Sequence, residues 1–127
     1  MKIVISDLDS VFTKKAVKFF CSQLNIIPDT IEVCVNDDMT ENGMCIDTEE
    51  KSFLIVLKKG TRNLGEIYNT LAHEMIHVKQ YLTQNLSDFL VKDFDYYDCW
   101  WEKEAFIGSL PLLNQFVTTL GVKEHAK

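Results

Sequence analysis

The stretch from Asn63 to Asn85 constrains this chain more than any other. Ile67, Leu71, Ile76, Val78 and Leu82 recur along it at the spacing of one helix face. Asn63 followed by Glu66 has the form of a capping box, with Asn in place of the usual Ser or Thr. Asn85 suits the C-terminal end. A helix with one apolar face must be covered by other elements. The remainder of the chain is therefore expected to supply a cover for it.

The front of the chain supplies strands and one helix. Residues 2–6 read as a short strand. Ser10 or Thr13 is placed to cap a first helix, with Phe12, Ala16, Phe19, Phe20 and Leu24 at helical spacing and Pro28 breaking the pattern. Ile31 to Val35 alternates like a half-buried strand. Gly43 to Asp47 reads as a short second strand, and Ser52 to Leu57 as a buried one. Behind the central helix, Ser87 to Val91 suggests a short helical turn. A longer helical region is expected from about Asp98 to Leu120. Gly108, Ser109 and Pro111 are expected to kink or split it, and Gly121 to end it. The expected class is α+β: an N-terminal helix and a three- to four-stranded sheet packed on the central helix and a C-terminal helical region.

Composition excludes some functions. The 127 residues fit one domain spanning 1–127. A net charge of -6 is unsuited to binding nucleic acid by bulk charge, which needs clustered Lys and Arg. No apolar run reaches the length of a membrane span. Met1 to Ile5, followed at once by Asp7 and Asp9, does not match a secretory leader. Cys21, Cys34, Cys45 and Cys99 form no C-x-x-C pair, which predicts reduced thiols and a cytoplasmic protein. Oligomeric state is not legible.

The central helix also carries His73-Glu74-Met75-Ile76-His77. Two of the three histidines of the chain therefore lie one turn apart on one helix face. Two imidazoles so placed reach one zinc ion at about 2.0–2.1 Å. Glu74 is rotated from them and stays free to act on a zinc-bound water, whose pKa the metal lowers towards about 7. A carboxylate there can take the proton, let hydroxide attack a carbonyl, and pass the proton to the leaving amine. The ordinary alternative is a pair of structural histidines. It is disfavoured because the pattern lies inside a capped amphipathic helix and acidic groups follow downstream.

A catalytic zinc needs a third protein ligand and an open position. His125 is the remaining histidine, but it lies near a charged terminus. Glu102 and Glu104 are better sources. They stand about 200° apart around a helix, so only one can face the metal.

The pairing of His73-Glu74-Met75-Ile76-His77 with Trp101-Glu102-Lys103-Glu104-Ala105 resembles the gluzincin metallopeptidases. It is most similar to small phage and bacterial proteins with a SprT-like or minigluzincin core. Leu71-Ala72 and Val78-Lys79-Gln80-Tyr81 flank the motif in a similar way. The resemblance spans roughly residues 52–108. It implies a zincin-like fold, zinc as cofactor and a third ligand on a following helix, written as Glu, two residues, then Ala. That pattern falls on Glu102 and Ala105, with Glu104 as the fallback ligand. Many gluzincins carry an Asp four residues after the ligand Glu, where this chain has Phe106. Some other group must then orient the histidines, and Asp98 or a backbone carbonyl is a candidate.

The implied reaction is hydrolysis of peptide bonds, with a peptide or protein as substrate and Glu74 as base. Related enzymes add a Tyr or His at the oxyanion. Tyr96 and Tyr97 stand just before the ligand helix, and Tyr97 is the candidate, although this acidic aromatic segment also reads as a packed loop. Gly43 to Asp47 is the candidate edge for an extended substrate. Cys45 is expected to be a small buried hydrophobe. Two other readings remain. One is a catalytically silent, zinc-stabilised binding or regulatory protein of phage or bacterial origin. The other is a metal-dependent hydrolase of a different amide. Retention of Glu74 favours an enzyme.

Overall fold

A computed structural model describes residues 1–90 and 99–125, with side chains to Leu120. The described chain is α+β. It runs β1 (Lys2–Ile5), α1 (Ser10–Leu24), β2 (Thr30–Val35), β3 (Gly43–Glu49), β4 (Ser52–Leu57), α2 (Leu64–Thr83), α3 (Leu86–Leu90) and α4 (Trp100–His125). The sheet has the order β1-β2-β4-β3. β1, β2 and β4 are parallel, and β3 runs antiparallel to β4 at the edge. No helix among the described residues is long and apolar enough to cross a membrane.

Alternation builds the sheet's buried face. Ile31 and Val33 of β2 and Phe53, Ile55 and Leu57 of β4 all point into one core. They meet Leu71, Met75 and Val78 of α2. The capping box expected at Asn63 forms in both directions. Glu66 N donates to Asn63 Oδ1 at 2.9 Å, and Asn63 N donates to Glu66 Oε1 at 3.3 Å. At the other end Gln84 is the cap and Asn85 follows with φ 53°, the left-handed conformation that Asn tolerates.

The start of α1 differs from the sequence expectation. Neither Ser10 nor Thr13 caps it. Asp9 Oδ1 accepts from Phe12 N at 2.8 Å. Thr13 is committed elsewhere: it is fully buried, and its hydroxyl lies 2.7 Å from the Tyr68 hydroxyl, which ties α1 to α2. The helix ends at Leu24 because Asn25 turns left-handed at φ 56°.

α4 also departs from expectation. It is one helix, not two, and it passes through Gly108, Pro111 and Gly121. A proline inside a helix removes one hydrogen bond and costs about 3 kcal/mol. Ser109, Leu112, Leu113 and Phe116 are buried on either side of Pro111. Phe116 lies 5.4–5.8 Å from the rings of Phe12, Phe19 and Phe20. Burying a side chain of this size contributes about 1.5–3 kcal/mol, so two or three of them outweigh the proline. An interior glycine costs only about 0.5–1 kcal/mol, and Gly121 need not end a helix.

α2 and α4 pack closely. Ala105 is fully buried, and a Cβ on Gly108 would stand 2.9 Å from Ile76 Cδ1. Small residues at these two positions let the first three turns of α4 lie close against α2. That approach brings Glu102 to the two histidines.

Candidate metal centre

His73 and His77 are one turn apart on α2, their rings 4.9 Å apart and inclined at 78°. Glu102 meets both from α4. His77 Nε2 lies 2.7 Å from Glu102 Oε1, and His73 Nε2 lies 3.5 Å from Glu102 Oε2. One nitrogen from each histidine and one oxygen of Glu102 all fall within 4.8 Å of one another. Among the described residues this is the one His/Cys/Asp/Glu group so arranged. Two imidazoles and a carboxylate on a cleft could hold a metal ion, and zinc is among the ions that take such donors.

Glu104 does not enter the cluster. Its Oε1 accepts from Gln80 Nε2 at 3.0 Å and pairs with Lys79 Nζ at 3.5 Å. Two residues along α4 have turned it away from His73 and His77, as helix geometry requires. Tyr96, Tyr97 and Asp98 lie outside the described residues, as does the side chain of His125.

The group that orients His77 is one the sequence reading passed over. Gln80 is fully buried and its Oε1 lies 2.7 Å from His77 Nδ1. Its Nε2 donates to the Trp101 carbonyl at 2.9 Å as well as to Glu104. The available signal was a polar residue three positions after His77, hence on the same helix face. Phe106, standing where an Asp was sought, packs edge-on against His73 with centroids 5.0 Å apart.

Glu74 is 5% exposed and faces the same cleft. Burial pushes its carboxyl above the usual range, although His77 and His73 pull the other way. Burial alone would lower His77, but its hydrogen bond to Glu102, the nearby Glu74 charge and Gln80 outweigh it, so His77 holds a proton more tightly than usual. Glu102 is driven well below the carboxylate range: burial opposes ionisation, and hydrogen bonds from His73 and His77 overcome it.

The cleft has a volume of about 790 Å³. β3 forms one wall through Gly43, Met44 and Cys45. Cys45 is only half-buried rather than a core residue. It faces α2, and burial followed by the charge of Glu74 keeps its thiol protonated. Arg62 fastens this wall to α2. Its Nη1 donates to the carbonyls of Lys58 at 2.8 Å and Asn42 at 3.3 Å. Its Nη2 donates to the Glu66 carbonyl at 2.9 Å and to the Thr70 hydroxyl. Tyr81 also lines the cleft, its phenol pushed up to about 12 by burial and by the neighbouring Cys45, Asp47 and Glu74.

Comparison with protein-family models, with curated proteins and with solved structures finds no match to this chain.

Proposed function

We propose that the protein is a zinc-dependent peptidase of the gluzincin type, with a peptide or protein as substrate. One observation carries the reading: His73, His77 and Glu102 converge on one point of a cleft that Glu74 also faces. His73 and His77 would hold zinc through Nε2, and Glu102 through a carboxylate oxygen. Zinc held there supplies Lewis acidity, polarising the scissile carbonyl and acidifying a water. Glu74 accepts the proton of the attacking water and returns it to the leaving amine. Burial raises its proton affinity, which suits it to accept that proton.

The sheet supports the same reading. β3 pairs only with β4 among the described residues, and its Gly43 end borders the cleft. An extended peptide can add to such an edge through backbone hydrogen bonds, which bring a scissile amide beside Glu74.

The test measures zinc per chain and then compares wild type with Glu74→Gln on a mixed peptide library. One zinc in both proteins, with cleavage by wild type alone, is the expected result. Zinc without cleavage by wild type overturns the peptidase and leaves a zinc-stabilised binding protein. No zinc in wild type overturns the metal centre.

A further inference from the structure

We propose that Gln80 is a positioning residue of this centre: the Trp101 carbonyl and Glu104 fix the sense of its amide, so that His77 offers only Nε2 to the metal. The inference rests on the metal centre proposed above and deepens it.

A side-chain amide can present either its oxygen or its nitrogen, and its neighbours decide which. Here two acceptors, the Trp101 carbonyl and the Glu104 carboxylate, stand on one side of the Gln80 amide. Reversing it would set an oxygen against both, inside a position with no exposure to water. Buried polar groups left unpaired are costly, so the NH2 faces α4 and Oε1 faces His77. Oε1 can only accept. His77 must therefore keep a proton on Nδ1, which leaves Nε2, the nitrogen 2.7 Å from Glu102 Oε1, as the only one on which a metal could replace a proton.

Glu104 gains a function by the same argument. Its charge makes the amide sense one-way, since a carboxylate without a proton cannot donate back. Lys79 Nζ lies 3.5 Å from the same carboxylate. The path Lys79–Glu104–Gln80–His77 links the exposed side of α4 to the metal ligand.

The test uses zinc-loaded, 15N-labelled protein. Zinc affinity is measured by competition with a chromophoric chelator. The Nδ1–H of His77 is followed by long-range 1H–15N correlation. Wild type is expected to show a slowly exchanging Nδ1–H and coordination through Nε2. Gln80→Leu is expected to weaken zinc by about 10–100-fold, as loss of a ligand's hydrogen-bond partner does, and to lose the protected proton. Glu104→Gln, at a more exposed position, is expected to lose less affinity and to speed exchange of the same proton. It carries the test if Gln80→Leu does not fold.

A purely structural Gln80 would lower the melting temperature and leave both readouts unchanged in the folded protein. That result overturns the proposal. Zinc binding without peptide cleavage in wild type removes the peptidase reading alone. Absence of zinc binding in wild type removes both.

Discussion

Gly43 of the edge strand lies against Glu74 of α2 so closely that a Cβ on the glycine would stand 3.0 Å from Glu74 Oε2. The same Cβ would be 2.5 Å from Thr70 Cγ2, a distance that real side chains do not tolerate. Gly43 is therefore needed for close approach, and the approach sets how deep the cleft is beside the proposed base. Arg62 holds the two sides together through Asn42 and Thr70.

Gly43→Ala should push β3 away from α2 at this point. β3 pairs with β4 over its whole length, so the sheet itself persists. The expected outcome is a loss of kcat/KM of about 10–100-fold, the size of effect that a misplacement of about 1 Å can have, with zinc content unchanged. Steady-state kinetics and elemental analysis check it. Wild-type kinetics in this variant would show that the edge does not set the geometry at Glu74.

The two glutamates of α4 should separate cleanly by metal content. Glu102→Gln removes the carboxylate that meets both histidines, and should leave the protein free of zinc after dialysis. Glu104→Gln should retain one zinc per chain at saturation, because Glu104 touches Lys79 and Gln80 rather than the cluster. Zinc lost from Glu104→Gln and kept in Glu102→Gln would reverse the assignment.

Much of this site was legible as spacing. His73 and His77 share a face because they are four apart, and Glu102 and Glu104 exclude each other because they are two apart. The capping box at Asn63 and the edge position of Gly43 were likewise local or nearly local. What escaped depends on contacts between distant segments. Gln80 looks like an ordinary helix glutamine until Trp101 and Glu104, 21 and 24 residues on, are placed beside it. Thr13 looks like a cap until Tyr68 claims its hydroxyl. Pro111 looks like a break until the burial of Leu112, Leu113 and Phe116 is known. In each case tertiary packing overrides a local preference of about 1–3 kcal/mol.

Stability should depend on pH in opposite senses with and without zinc. In the metal-free chain His77 is raised above 6.5, so its contribution is complete below that value and is lost as pH climbs through the raised pKa. Glu74, raised above 4.5 chiefly by burial, also loses its contribution as pH rises. Glu102 is lowered, so its contribution is present above 4.5 and is lost only in strong acid. Between about pH 6 and 8 the metal-free protein should therefore lose stability as pH increases. Zinc competes with protons for the same nitrogens, so its affinity rises over that range and the loaded protein should gain stability. Thermal unfolding with chelator and with excess zinc, each across this range, should give slopes of opposite sign. Equal slopes would mean that zinc does not bind at His77.

Pro111 gives a prediction about the fold alone. It is exposed on α4 and supplies no donor to the turn before it. Its neighbours Leu112, Leu113 and Phe116 hold the helix through it by packing on α1 and α2. Pro111→Ala should restore a backbone hydrogen bond without touching that packing, and should stabilise the protein by about 1–3 kcal/mol. For a chain of this size the midpoint of thermal unfolding should rise by roughly 4–12 °C. Zinc binding should not change, because Glu102 lies more than two helical turns away. A fall in the midpoint would mean that the buried face of α4 needs the proline's local geometry, and that packing on either side of Pro111 is tuned to it.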